Sequence, residues 1–146
     1  MRHVIGRRDY HDVHGRVPSL PEGGLVYQVI EYEERVDLLL AAADVAVTRA
    51  GGTVAELAAM GVPSILVPLP IATRDHQTAN ARVLVDAGAA VMVPDGELTA
   101  ARLERELDAL LADRSHLAAM AAAMRGQAHL DAADRIAALI EEHARA

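Results

Sequence analysis

Apolar residues along this chain gather into short runs separated by longer stretches of helical spacing. The runs fall at residues 25–30, 45–48, 64–69 and 89–93, each four to six residues long and rich in Val, Ile, Leu or Ala. Runs of that length, bounded by turn residues or charge, predict β-strands. They are apolar at successive positions, so both faces of each strand are expected to be covered, as in a parallel sheet. Helical patterns lie between them. Residues 34–42 carry Val36, Leu39 and Leu40 at helical spacing, and residues 53–60 form a short helix stopped by Gly61 and Pro63. Residues 75–87 are closed by Gly88, with Asp75 as an acceptable N-cap. Thr99 is expected to cap a helix reaching about residue 111, without the acidic partner of a capping box. Helices at 115–125 and 131–145 complete the pattern.

This alternation predicts an α/β fold with a doubly wound parallel sheet and right-handed crossovers, residues 1–146 forming one domain. Residues 2–6 read as a short strand running into a loop, an unusual start for such a domain. Residues 6–24, with Gly6, Gly15, Pro18, Pro21 and the Gly23-Gly24 pair, read as a long polar loop with room for one helical turn. Ligands of open α/β sheets bind beyond the carboxyl ends of the strands. The loops after Ile30, Thr48, Leu69 and Val93 are therefore where chemistry is expected.

The loop after Thr48 is Arg49-Ala50-Gly51-Gly52-Thr53, opening the helix that carries Glu56. Two glycines admit a ligand close to backbone N–H groups, and a helix start adds free N–H groups and its positive dipole end. The pattern suits a phosphate cradle, and Glu56 could accept hydrogen bonds from vicinal hydroxyls such as those of a ribose. A simple helix start with a surface Glu reads equally well. The loop after Leu69 opens a helix with Asp75-His76-Gln77, and Asn80 follows one turn later. Gln77 offers a donor and an acceptor together, which suits sugar hydroxyls; taken alone, His76 and Asp75 read as solvated helix-start residues. After Ile30, Tyr32 could stack on a flat ring or merely cover the sheet edge, and the neighbouring Glu residues suit a helix start.

Composition narrows the chemistry. The chain has 146 residues, net charge -7, 52% apolar residues and no Cys, Trp or Phe. The apolar content supports a packed core and excludes intrinsic disorder. The missing Cys exclude a disulfide scaffold and Cys-ligated metal sites. An acidic balance with few aromatic rings argues against nucleic-acid binding. No apolar run reaches the ~18 residues of a spanning helix, and no apolar segment marks a secretory signal, so a cytoplasmic location is expected. His3, His11, His14, His116, His129 and His143 show no metal spacing, and no metal or cofactor is expected. Met120 and Met124 are expected in the core.

At the three loops after Ile30, Thr48 and Leu69 the sequence becomes recognisable. The Arg49-Ala50-Gly51-Gly52…Glu56 and Asp75-His76-Gln77…Asn80 pairing resembles the C-terminal domain of the bacterial MurG family. The likeness extends back to about His3 and covers most of the chain. Members are GT-B glycosyltransferases that move N-acetylglucosamine from UDP-GlcNAc to lipid I in peptidoglycan synthesis, at the cytoplasmic face of the inner membrane. The resemblance implies a Rossmann-like, nucleotide-sugar-binding domain, the C-terminal half of a GT-B enzyme, lacking its first βα unit and Gly-Gly-Ser turn. It implies that Glu56 binds the ribose hydroxyls and that Ala50, Gly51, Gly52 and Thr53 lie against ribose and diphosphate. His76 and Gln77 correspond to the pair that meets the GlcNAc hydroxyls. Tyr32, Glu33 and Val36 correspond to the wall around the uracil, where backbone atoms at Glu33 read the base edge. Two departures stand out: the loop from Arg49 to Thr53 is one residue shorter than in several relatives, and Glu33 replaces an apolar residue of some of them.

The implied transfer is metal-independent, with backbone N–H groups and a helix dipole facing the leaving diphosphate; Arg49 and Arg74 could add positive charge. No catalytic residue is expected in this chain. The lipid I acceptor would bind through an absent N-terminal domain, and no transferase activity is expected of the chain alone. The alternatives are a subunit of a split GT-B transferase with a partner chain supplying the acceptor half, a non-catalytic UDP-sugar-binding module, and a GT-B transferase with another sugar or acceptor.

Overall fold

The computed structural model describes residues 1–17 and 20–144. Pro18 in the expected loop and Arg145 at the expected end of the last helix lie outside the described residues. The chain divides into two compact units, Met1–Leu39 and Leu40–Ala146.

In the first unit β1 (Arg2–Val4) pairs in parallel with β2 (Gln28–Ile30), His3 standing opposite Val29. The expected loop between them carries one short helix, α1 (Tyr10–His14). The apolar run beginning at Leu25 contributes only its last three residues to the ladder, and Leu25 and Val26 are exposed. A strand ends where its partner ends, and β1 offers three residues. The helix α2 (Val36–Ala41) follows, beginning two residues later than expected.

The second unit holds a three-stranded parallel sheet in the order β3-β4-β5, formed by Ala46–Thr48, Ser64–Leu66 and Ala90–Met92. β4 is central and fully buried. Its consecutive residues face opposite sides, as a pleated strand requires. Leu66 joins a cluster with Leu57, Ala58, Ala81 and Leu84, whereas Ile65 joins Val67, Val93, Leu110, Leu117 and Met120. The crossover helices α3 (Thr53–Met60) and α4 (His76–Asp86) therefore cover one face. The helix α5 (Ala100–Ala112) covers the other, and α6 (Arg114–Arg125) reaches both clusters, through Met120 in the second and Met124 in the first. The expected two-sided burial of a parallel sheet is present. Met120 and Met124 are both in the core, as expected, each in a different cluster.

The helix ends follow local chemistry. Thr99 accepts a hydrogen bond from the Arg102 N–H and caps α5. Asp113 caps α6, accepting from the N–H groups of Ser115 and His116. Its carboxyl is held below the ordinary value, chiefly by the His116 N–H and then by the Ser115 hydroxyl. Asp75 does not cap α4: it adopts a left-handed backbone (φ 53°) and its side chain makes no capping bond. The residue before it, Arg74, is left-handed too, so the chain enters α4 through two consecutive strained positions. The last helix, α7 (Ala132–Ala144), buries none of its residues. Among the described residues no helix is long and apolar enough to cross a membrane.

Candidate functional site

Three of the expected residues lie in the first unit, in and after the loop that leaves β2. Tyr32 is 56% exposed, and the Arg7 guanidinium sits 4.6 Å from its ring centroid. Glu33 is half-buried and both its oxygens are engaged. One accepts from the Arg2 guanidinium at 2.8 Å and the other from the Arg35 N–H at 3.1 Å. Val36 opens α2 and is exposed.

The other eight lie in the second unit, at the carboxyl ends of β3 and β4. Ala50 is fully buried and fixes the start of the glycine loop. The first turn of α3 tightens onto that loop, Val54 N–H donating to Gly51 and Ala55 N–H to Gly52. The N–H groups of Gly52 and Thr53 thus stand at the open end of the helix, where the dipole favours an anion. A side chain added at Gly52 would meet nothing within 4 Å. Glu56, one turn further on, is exposed, and no partner is found for its carboxylate among the described residues.

Two amide side chains at the start of α4 make backbone bonds, one to this loop and one to the loop that leaves β4. Asn80 Nδ2 donates to the Ala50 carbonyl at 3.0 Å. Gln77 Oε1 accepts from the Leu69 N–H at 3.0 Å. Its Nε2 lies beside the glycine loop, 3.8 Å from where a Cβ on Gly51 would stand. His76 is exposed, and its Nδ1 donates to the Thr73 carbonyl at 2.8 Å. A carbonyl only accepts, so this bond places the proton of a neutral ring on Nδ1 and leaves Nε2 as an acceptor. Ala50, Gly51, Gln77 and Asn80 are therefore brought together, with Gly52, Thr53 and Glu56 on the adjoining helix start and His76 on the other.

Two features of this edge are not readable from local sequence. Arg49 does not stand free beside the glycine loop. Its Nη1 donates to Asp95 at 2.5 Å and reaches the carbonyls of Val67 and Pro68 at 3.3 and 3.4 Å. It ties the carboxyl end of β3 to those of β4 and β5. Asp95 is 46 residues away, and no spacing rule links the two. Second, a groove of this unit lies away from these residues. A groove of about 340 Å³ lined by Asp44, Met60, Pro63, Arg114, Leu117 and Arg125, among others, opens where the chain enters β3 and β4. None of the candidate residues lines it. Among the described residues no group of three or more metal-ligating side chains is placed to hold an ion.

Comparison with known proteins identifies the family and the fold. Residues 1–136 match the glycosyltransferase family 28 C-terminal domain. A UDP-N-acetylglucosamine–N-acetylmuramyl-(pentapeptide) pyrophosphoryl-undecaprenol N-acetylglucosamine transferase of Alkalilimnicola ehrlichii is 44% identical over 146 residues. That alignment covers 99% of this chain and 40% of the relative. A transferase of the same name from Rhodopseudomonas palustris is 54% identical over 107 residues, covering 73% of this chain and 29% of the relative. The crystal structure of Acinetobacter baumannii MurG superposes with a TM-score of 0.85 at 34% identity, over 97% of this chain and 42% of that one. The chain thus spans about 40% of the length of the relatives it matches. The resemblance read from the glycine loop and the Asp-His-Gln helix start holds across nearly the whole chain, and the fold is the Rossmann-like C-terminal half of a GT-B glycosyltransferase. The chain belongs to the glycosyltransferase family 28 C-terminal-domain family.

Proposed function

We propose that this chain is the donor-binding part of a transferase that moves N-acetylglucosamine from UDP-GlcNAc to lipid I, the activity named for its relatives. One observation carries the reading. Glu56 offers an exposed carboxylate without a partner among the described residues, one turn beyond a glycine loop that Asn80 bonds at the Ala50 carbonyl. A carboxylate so placed accepts two hydroxyl hydrogen bonds, the chemistry of a ribose diol. In this reading Glu56 holds the ribose, while Ala50, Gly51, Gly52 and Thr53 lie against ribose and diphosphate. Gln77, His76 and Asn80 meet the sugar hydroxyls, and Tyr32, Glu33 and Val36 meet the base.

Transfer forms a bond from the acceptor oxygen to the anomeric carbon and breaks the bond to the diphosphate, which departs with the electron pair. The Gly52 and Thr53 N–H groups and the α3 dipole would stabilise that growing negative charge. In this reading the acceptor and the group that takes its proton are held by the remainder of a whole transferase, so these 146 residues by themselves would not turn over. In the whole enzyme it would work at the cytoplasmic face of the inner membrane.

Titration calorimetry of the 146-residue chain with UDP-GlcNAc tests the reading. Binding is expected, and Glu56→Ala should weaken it by roughly 1–3 kcal/mol, the usual scale for losing hydrogen bonds to a charged group. Unchanged affinity in that variant removes Glu56 from the site. No binding by the unaltered chain refutes the donor-site reading. Turnover of UDP-GlcNAc with a lipid I analogue would overturn the claim of inactivity.

A further inference from the structure

The loop that leaves β2 is gripped at three successive residues by the segment that forms and follows β1. The Gly6 N–H donates to the Glu31 carbonyl at 2.9 Å, extending the parallel ladder beyond the strands. Gly6 has φ +93°, which lets the chain turn away directly after that bond. The Arg7 guanidinium lies over the Tyr32 ring at 4.6 Å. Arg2 donates to Glu33 at 2.8 Å. Glu33 is the better covered partner, with a side chain 17% exposed against 45% for Arg2. Its second oxygen accepts from the Arg35 N–H two residues on. Arg2 therefore anchors a carboxylate that itself shapes the backbone from Glu33 to Arg35.

This arrangement has a chemical consequence. The loop sits at the carboxyl end of a parallel strand, where α/β proteins place ligands. Arg7 on the Tyr32 ring fixes its orientation and polarises it while the ring stays 56% exposed. A flat heteroaromatic ring can stack on such a platform. The backbone groups next to it hold a fixed position because the Glu33 carboxylate is tied at both oxygens. We propose that Arg2 and Arg7 are positioning residues for base selection. Arg2 acts through the Glu33 carboxylate on the 33–35 backbone, and Arg7 acts through the Tyr32 ring. Neither touches the base itself. The proposal rests on the donor-site reading above, since it concerns the base of the same nucleotide. It also gives the Glu33 side chain a role, at a position where an apolar residue would leave Arg2 without a partner.

The test uses the full chain with Arg2→Met and Arg2→Lys and two independent measurements. The first is amide hydrogen exchange of the ligand-free protein at residues 33–35. Arg2→Met is expected to speed exchange at the Arg35 amide about three- to tenfold, while Arg2→Lys, which can still reach Glu33, leaves it near the original rate. The second is calorimetric affinity for UDP and for ADP. Arg2→Met should weaken UDP by about three- to fivefold, the upper scale for an exposed ion pair. ADP affinity should hardly change, so base discrimination shrinks, and Arg2→Lys should restore it. A merely structural ion pair would weaken both nucleotides alike. Unchanged exchange at Arg35 overturns the proposal whatever binds. Faster exchange with unchanged UDP-to-ADP discrimination overturns it while leaving the donor site standing. No UDP binding by the unaltered chain overturns the donor-site reading and this proposal together.

Discussion

The helices α3 and α4 both end on a left-handed glycine, and comparing the two glycines separates backbone strain from packing. Gly61 has φ +69° and Gly88 has φ +73°. Each terminates its helix in the same pattern. The next N–H reaches back to the helix, Val62 to Leu57 at 3.0 Å and Ala89 to Leu84 at 2.8 Å. Their surroundings differ. A Cβ at Gly88 would meet nothing within 4 Å, whereas one at Gly61 would come to 2.5 Å from Arg125 Cγ and 2.6 Å from Nη1. Gly88→Ala should therefore report the left-handed penalty alone. That is about 1–2 kcal/mol, partly offset by the ~0.4–1 kcal/mol gained from restricting the unfolded chain, leaving about 1 kcal/mol. Gly61→Ala carries the same penalty and must also drive Arg125 out of its rotamer, a further ~0.5–1.5 kcal/mol, for a total near 2 kcal/mol. At roughly 3–4 °C per kcal/mol for a chain of this size, the two variants should lose about 3–4 and about 6–8 °C. Urea unfolding followed by circular dichroism, with an unchanged m-value, measures the difference. Arg125→Ala in the Gly61→Ala background should remove the excess and leave the loss seen at Gly88. Equal losses for the two single variants, or an excess that survives removal of Arg125, would refute the reasoning.

Two other outcomes follow from the hydrogen bonds. Asn80→Ala leaves the fully buried Ala50 carbonyl without its side-chain donor. It should lower stability by about 1–2 kcal/mol in urea unfolding; an unchanged midpoint would show that the bond does not hold the glycine loop. The Asp113 carboxyl is held below its ordinary value by the His116 N–H and the Ser115 hydroxyl. A lowered folded-state value means its stabilisation is present above the unfolded carboxylate pKa, near 3.9, and is lost as pH falls through the folded one. The melting temperatures of the unaltered chain and of Asp113→Ala should differ at pH 6–7, and the gap should start to narrow as pH falls below about 4; a gap that does not narrow in acid would show that the carboxylate charge does not carry the effect.

What the sequence revealed and what it concealed divide by distance along the chain. The stop of α3 at Gly61, the Thr99 cap and the core positions of Met120 and Met124 are settled by neighbours within a turn or by helical spacing, and each is found as expected. The length of β2 is set by the three residues of β1 that face it, some 26 positions earlier, so the apolar run from Leu25 overstates it. Asp75 has the composition of a cap, yet the loop from Leu69 reaches α4 through left-handed residues that no local rule anticipates. The pairing of Arg49 with Asp95 depends on the sheet order itself. The candidate residues were picked out by the family resemblance, since a glycine pair and a helix-start amide at a strand's carboxyl end also read as ordinary helix starts. The bond between Asn80 and Ala50 was not legible, since it joins segments 30 residues apart.

Those bonds bear on how the site should be probed. Gln77 uses its oxygen on Leu69, and Asn80 uses its nitrogen on Ala50. Each has the other half of its amide available for a hydroxyl in the proposed site. His76 divides its ring in the same way, with Nδ1 on Thr73. Such residues are already held in place before a ligand arrives, which lowers the ordering cost of binding. The same economy confounds their mutation. Removing Asn80 frees the Ala50 carbonyl and removing Gln77 frees the Leu69 N–H, each in addition to deleting the proposed ligand contact, so a loss of affinity in either variant mixes the two effects. Glu56 makes no bond that holds the loop, so its replacement should change affinity without changing the urea midpoint. A Glu56→Ala variant that lost both would show that the carboxylate takes part in holding α3, and the assignment of the ribose contact would then have to rest on Gln77 and the glycine loop alone.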